Sequence, residues 1–571
     1  MSVSIRPVRP GYDHARYVAA AAILLLVLVT GSIAFSHERF NLYTRYIFLT
    51  QDAWLAPFFA AACLFHARPA SRGRLFTAQR ERRSMWLLLA LLLLICWVGR
   101  FLVFGDFDAT PDERMAAFDA AVFRGGALVW PIPPEWRSLA NALNRNFMLP
   151  IGSAEAWISA YLPVNAAFHA VVGKLMDEDL TAPLLVAAGA WCLWRISLRL
   201  WPDSVSARIA TVAFYAGSSQ VLITGMTKFA MSAHLALNLC WLMLFLRGDR
   251  RSHALAMLVG FLATGVHQPL FHPLFAAPFL ALLGGRRQWS LLGAYLFAYA
   301  CIGAFWVAWP TLLSSMGTGA VVPIESSSGI GYLERLLATV KGVDLEGAWL
   351  TGANLIRFIT WQHPLLAPVA LFGAWAAWRS EPFVRALVVS FALPILIFWI
   401  LLPWQGSGWG YRYLHPVLGN AFLLGGWGWH MLERSHKDLW RPLLWTSAAS
   451  LLLLLPVHGW LAHHIIRPIA QADARIDAIA ADVVIVDTQF HEVFVHNRHD
   501  LSNRPIRLMS AHVQPRQIAR LCRRRSIAFV DPPAPGEPSG RQRALESAAG
   551  RAGCAASTVR VPIADHLLRG R

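Results

Sequence analysis

The chain is 571 residues long, 56% hydrophobic and only 15% charged, with a formal charge of +18 and a mean hydropathy of +0.45. Those values exclude an ordinary soluble globular protein. They also exclude a nucleic-acid interface, because the basic residues fall into short loops between apolar runs, at 67–83, 247–251, 284–288 and 433–441, which is a membrane topology signal.

In chain order, apolar runs of about 18 to 22 residues are long enough to cross a bilayer as helices. They predict an α-helical polytopic membrane protein of about 13 transmembrane helices, near 17–35, 50–67, 85–104, 180–197, 206–223, 229–247, 254–267, 270–284, 288–309, 359–378, 385–403, 413–432 and 442–460. Arg6, Arg9 and Arg16 precede the first run, but no Ala-x-Ala pattern closes it, so no cleavable signal peptide is read. With the basic loops in the cytoplasm, the N-terminus is inside, and the loops 105–179 and 310–358 lie outside with the tail from 461. That orientation fits a bacterial-type inner (plasma) membrane. The apolar stretch 156–176 breaks this count if it spans. Pro163, Asn165, His169 and Lys174 mark it instead as a re-entrant or interfacial segment.

Three regions follow: a two-span extension over 1–84, a transmembrane region over 85–460, and a small α/β soluble domain over 461–571. The stretches 481–488, 504–511 and 526–531 read as strands, with a helical 514–525 between the last two. Cys522 and Cys554 are the two of the seven cysteines that lie in this tail. In an oxidising compartment they are a candidate disulfide.

Carboxylates gather after the third run. Asp106 and Asp108 form an Asp-x-Asp pair that could share a divalent cation (Mg or Mn), and Pro111-Asp112-Glu113 follows at once. Pro, Asp and Glu in series also suit a helix start. Downstream, Arg412 opens a run within Gly410-Tyr411-Arg412-Tyr413-Leu414-His415-Pro416, where a guanidinium could grip phosphate or simply anchor the span. Lys228 lies between two runs on the predicted outer side, against the positive-inside bias. His267, His272, His363 and His415 sit near the same face, yet no CxxC or HExxH spacing points to zinc. No Walker A, GxGxxG or Gly-x-Ser-x-Gly pattern occurs either, which leaves no sign of a nucleotide donor.

The segments PDERMAAFDAAVFRGG (111–126), FYAGSSQVLITGMTKFAMSAHLAL (214–237) and GYRYLHP (410–416) resemble the GT-C superfamily, the polytopic glycosyltransferases that take sugars from polyprenyl-phosphate carriers. The resemblance spans roughly residues 85–435. It implies a GT-C-like fold and transfer of a sugar from a polyprenyl-phosphate donor to an envelope acceptor at the outer membrane face, with membrane lipid as a further partner. It implies Asp112 as the catalytic carboxylate, Glu113 as its neighbour, and Arg412 and Lys228 as donor-phosphate ligands. A transporter or flippase of lipid-linked sugar remains an alternative, as does a non-catalytic protein whose tail binds a partner. Charges at the outer surface and the lack of an inverted repeat favour chemistry over alternating access.

Overall fold

The structure is a computed structural model. It describes the chain from 46 onward except 64–67, 70–77, 145–147, 149–154, 319–344, 402–404, 406–407, 435–436, 439, 488–491, 532–536 and 562–571, and before 46 only positions 24, 25 and 27–29. Most of the expected span 17–35 and the middle of the expected loop 310–358 lie outside the described residues.

Among the described residues, five helices are long and apolar enough to cross a membrane: Gln79–Phe104, Glu178–Leu200, Trp289–Met316, Pro382–Leu401 and Trp440–Asp477. Four shorter apolar helices join them, Val205–Ala216, Met231–Arg247, Phe271–Gly285 and Leu366–Ala377. Large apolar side chains such as Leu87, Phe297, Trp445 and Leu452 are exposed on them, as suits a chain embedded in a membrane. The count differs from thirteen for local reasons. The run 206–223 is divided at Gly217, where Ser218 caps a separate short helix, Ser219–Thr224. The run 359–378 is divided too, because one helix ends at Thr360 and the next begins at Leu366. The loop expected over 310–358 is largely helical where described: one helix continues to Thr318 and another starts at Leu345. The last run does not stop at 460 but continues as helix to Asp477.

The chain forms two compact units that are discontinuous in sequence. This differs from the three consecutive regions expected. The first unit, Met1–Gly99 with Asp179–Phe305 and Tyr332–Leu461, packs its helices around one large apolar core that includes Leu193, Phe214, Trp241, Phe279 and Phe422. Two of its helices, Leu366–Ala377 and Leu418–Arg434, meet at backbone distance. A Cβ on Gly428 would lie 2.0 Å from the Val369 carbonyl oxygen, and one on Gly373 would lie 2.4 Å from that of Leu424. Small residues at such a crossing let helices approach where lipid offers no hydrophobic drive. Charge inside this unit is paired. Arg208 forks onto Glu81 through Nε (2.8 Å) and Nη2 (2.6 Å), and Trp194 Nε1 donates to the same carboxylate. Arg357 Nε donates to Asp52 at 2.8 Å, with Thr360 and Trp361 also donating to Asp52.

The second unit comprises Arg100–Glu178, Trp306–Gly331 and Ala462–Arg571. It holds a four-stranded parallel sheet in the order Ile506–Met509, Val483–Val486, Ile527–Asp531, Ser557–Arg560. The first three strands are almost wholly buried, which accounts for their continuous rather than alternating apolar sequence. Loop residues from far upstream join this core: Ile132, Trp136, Leu139 and Trp157 pack with Val483, Ile506, Leu508 and Phe529. The stretch 156–176 is a two-residue pairing, Trp130 with Trp157, followed by a twelve-residue helix, Val164–Leu175. At 1.5 Å per residue that helix is too short to span.

Cys522 and Cys554 are joined, with their Cα atoms 5.6 Å apart and a sequence separation of 32. A loop of that length corresponds to about 4 kcal/mol of stabilisation in the chain-entropy account. Cys522→Ser is therefore expected to lower the unfolding midpoint of the second unit and to leave the unmutated partner labelled by a thiol reagent without reductant. Equal labelling of both cysteines in the unmutated chain, with and without reductant, would contradict the bond.

Candidate active site

The acidic segment folds as a helix start. Thr110 is the N-cap and Pro111 occupies the first helical position of Pro111–Arg124. The Glu113 backbone N–H donates to Thr110 Oγ1, while Glu113 Oε2 accepts from the Thr110 backbone N–H and hydroxyl, at 3.2 and 2.9 Å. This reciprocal capping box satisfies two otherwise orphaned helix donors. It gives Glu113 a structural task. Its other oxygen, Oε1, is buried with no hydrogen-bond partner, and burial together with the nearby Asp108 pushes the carboxyl up to about 7.

Asp112 is placed differently. It is half-buried in the first turn, where the helix dipole favours its negative charge, and the Tyr161 hydroxyl donates to its Oδ1. Further along the same helix, Asp119 is buried and bonded to Ser159, and burial raises its carboxyl to about 7.

Asp106 and Asp108 are held by a cation from the protein itself. Arg100 Nε donates to Asp106 Oδ1 at 3.1 Å and Nη2 to Asp108 Oδ1 at 2.8 Å, and Nη1 reaches the Phe107 carbonyl oxygen. The buried guanidinium fills the place between the two carboxylates that a divalent cation would need, so this donor set does not fit the Mg or Mn site expected there. Among the described residues no cluster of three or more His, Cys, Asp or Glu side chains is arranged to hold a metal.

Beside the helix lies a cavity of about 400 Å³ whose lining includes Asp108, Arg114, Arg124, His496, Arg498 and His499. Arg114 was not among the sequence candidates. Its guanidinium stands 3.5 Å from Asp473 and 4.8 Å over the Phe107 ring, while its Nε and Nη2 make no hydrogen bond. Asp473 is shared with Arg507, which is buried and also reaches Asp477. The adjacency of Arg114 to the Pro-Asp-Glu run was a signal, but its setting depends on Asp473, far away in sequence.

Arg412 and Lys228 belong to the first unit, and Asp106, Asp108, Asp112 and Glu113 to the second. Lys228, in the turn between Ser219–Thr224 and Met231–Arg247, pairs with Asp179 at 3.5 Å. The Arg412 guanidinium lies 5.4 Å over the Tyr413 ring, and its backbone N–H donates to Gln405 Oε1. A buried amide chain fixes the preceding turn: Gln220 Nε2 donates to the Tyr411 carbonyl oxygen, Gln362 Nε2 to Gln220 Oε1, and Ser218 Oγ to Gln362 Oε1. Gly410 is required in that turn, since its φ is +66° and a Cβ would meet Gln220 at 2.5 Å. Of the histidines, His272 bonds Asn238 and Tyr299 and His363 bonds Ser447, both structural roles.

The raised carboxyls make stability pH-dependent with a definite sign. Folding lifts Glu113 and Asp119 to about 7, so between the unfolded carboxyl range and pH 7 the folded chain holds protons that the unfolded chain has lost. Stability therefore falls as pH rises through that window. Glu113→Gln, which keeps the capping box, and Asp119→Asn should each flatten the decline of the unfolding midpoint between about pH 4 and 7. Profiles parallel to the parent chain would show that neither carboxyl is protonated in the folded state.

No protein-family profile and no curated protein matches the chain. Among solved structures, ArnT from Cupriavidus metallidurans is similar in two forms, each alignment covering 82% of this chain and 88% of that one. The form bound to undecaprenyl phosphate shows 15% identity and a TM-score of 0.44; the apo form shows 14% and 0.45. The arabinofuranosyltransferase AftD from Mycobacteria is similar at 16% identity and a TM-score of 0.41, over 78% of this chain and 32% of that one.

Proposed function

We propose that this chain transfers a sugar from a polyprenyl-phosphate-linked donor to an acceptor at the outer face of the inner membrane. The observation that carries the reading is the division of labour among neighbouring carboxylates. Asp106 and Asp108 are held by Arg100 and Glu113 closes the helix cap, whereas Asp112 is aimed by a tyrosine hydroxyl at a helix N-terminus. That position, at a helix start beside a hydroxyl, suits a carboxylate that accepts a proton.

In this reaction Asp112 takes the proton of the acceptor hydroxyl as its oxygen attacks the anomeric carbon. The bond from that carbon to the phosphate oxygen breaks, and the polyprenyl phosphate leaves with the electron pair. Arg412 and Lys228 are the proposed cations for the leaving phosphate. Arg114, which lines a basic cavity and is only 3.5 Å from Asp473, is an additional group able to bind an anionic part of a substrate.

The decisive experiment is sugar transfer from a synthetic polyprenyl-phosphate donor by the purified full chain. Asp112→Asn should fold normally and lose activity by about two to four orders of magnitude, the usual contribution of a general base. Tyr161→Phe should lose less and shift the pH profile. Arg412→Lys should weaken donor affinity about tenfold if the guanidinium forks onto phosphate. Full turnover by Asp112→Asn would overturn the assignment, and a chain that retains donor lipid without transferring its sugar would favour the flippase reading.

A further inference from the structure

Within the first unit, at the ends of its helices, a second and larger cavity of about 1490 Å³ takes no part in the chemistry above. Its rim is built from turns: Arg199 to Ser204, Gly248 to Arg250, Arg286 to Gln288, Glu381 to Pro382, and His430 with Arg434. Four arginines (Arg199, Arg250, Arg286 and Arg434) face two carboxylates, Asp203 and Glu381. Helices begin on this rim at Val205, Arg250 and Pro382 and end on it at Leu200, Arg247, Gly285 and Arg434, so dipole ends of both signs meet there and the positive character comes from the arginines. The deeper wall is apolar, with Phe245, Met257, Leu283 and Phe383 among its residues.

Two polar atoms in this lining have nothing to bond. Trp201 is 3% exposed, and its indole Nε1 is buried with no hydrogen-bond partner; His430 Nδ1 is buried and unpartnered in the same lining. An indole N–H can only donate, and leaving it buried and unbonded costs roughly 1–3 kcal/mol. The turn that carries it is not loose. Arg208, itself locked onto Glu81, donates Nη1 to the carbonyl oxygens of Trp201 and Pro202, both at 2.7 Å, and Ser204 Oγ donates to Glu433 at 2.6 Å. A fixed turn with a buried, unbonded donor, in a cavity lined by four arginines, suits an acceptor-rich anion.

We propose that this cavity binds a phosphate group, with the apolar wall receiving the chain of the lipid that bears it. The shared chemistry is a phosphate ester; the source is an anionic phospholipid or a soluble diphosphate. The apolar wall favours the lipid. The basic turns that form the rim are those whose charge places them on the cytoplasmic side in the sequence topology, where anionic headgroups concentrate. The site is separate from the proposed sugar transfer and does not depend on it.

The test uses the full chain in nanodiscs of phosphatidylcholine alone, of phosphatidylcholine with phosphatidylglycerol, and of phosphatidylcholine with added pyrophosphate. Retained lipid is read by native mass spectrometry and stability by the unfolding midpoint. The parent chain should retain phosphatidylglycerol in preference to phosphatidylcholine and unfold at higher temperature with it. Arg250→Gln with Arg286→Gln, both exposed, should cut that retention about tenfold, as expected for loss of about 1.4 kcal/mol. Trp201→Phe keeps the ring and removes the donor, so it should cut retention less while leaving sugar transfer unchanged. A rise in midpoint with pyrophosphate alone would keep the phosphate site and assign it to a soluble ester. Equal retention of both lipids by the parent chain and the arginine variant, with no effect of pyrophosphate, would overturn the proposal.

Discussion

Pairing of buried charge is the constraint on which the rest depends. The chain carries 51 Lys and Arg against 33 Asp and Glu, so carboxylates are the scarce partner, and an unpaired charge buried in a membrane protein is costly. The buried arginines take carboxylates first: Arg357 takes Asp52, Arg208 takes Glu81, Arg100 takes Asp106 and Asp108, and Arg507 takes Asp473 and Asp477. Each removes an acidic group from the set available for chemistry. What remains near the helix Pro111–Arg124 is a short sequence of carboxyls whose fates differ by position: Asp112 steered by a hydroxyl, Glu113 consumed by the cap, Asp119 buried with its carboxyl raised to about 7.

Much of this helix was legible from residues alone, because its determinants are local. Thr-Pro-Asp-Glu is a helix start whichever fold surrounds it, and the structure uses each residue in that way. The three tail stretches read as strands each contain one, since a short apolar run bounded by polar turns has few other solutions. Helix counts were less legible. Gly217 and the Trp361 to Leu365 turn interrupt runs whose average hydropathy hides them, and the helix through Trp440–Asp477 passes a polar stretch that composition reads as a boundary. In each case a single turn decides what a window averages away.

The partnerships were not legible, because they are made across long separations. Arg100 lies inside an apolar run and reads as part of a span until its contacts with Asp106 and Asp108 are seen. Arg114 acquires its meaning from Asp473, and Asn144 from Asn497, whose backbone N–H it accepts at 2.7 Å. That the loop after Arg100 and the tail after Ala462 fold as one unit follows from the same contacts. Trp136 and Trp157 have no core of their own to enter and take the sheet's instead. A loop that would otherwise hang in water thereby becomes a fixed support for the helix that carries Asp112.

The two motifs that suggested chemistry are held by the same device in different dress. In the second unit a side chain closes on backbone groups at a helix start, so Glu113 fixes the direction of the turn on which Asp112 stands. In the first unit Gln220 closes on the Tyr411 carbonyl oxygen, and Gly410 takes the left-handed conformation that lets the amide come so near. Side-chain contacts to backbone fix the peptide and not the group that projects from it. The residue beside the anchor, Asp112 in one case and Arg412 in the other, is therefore oriented without being neutralised by its anchor. Preorganisation of that kind lowers the reorganisation a charged group must undergo when a substrate arrives. The conspicuous residues of both motifs, Pro and Glu in one and Gly and Tyr in the other, thus hold the backbone in place.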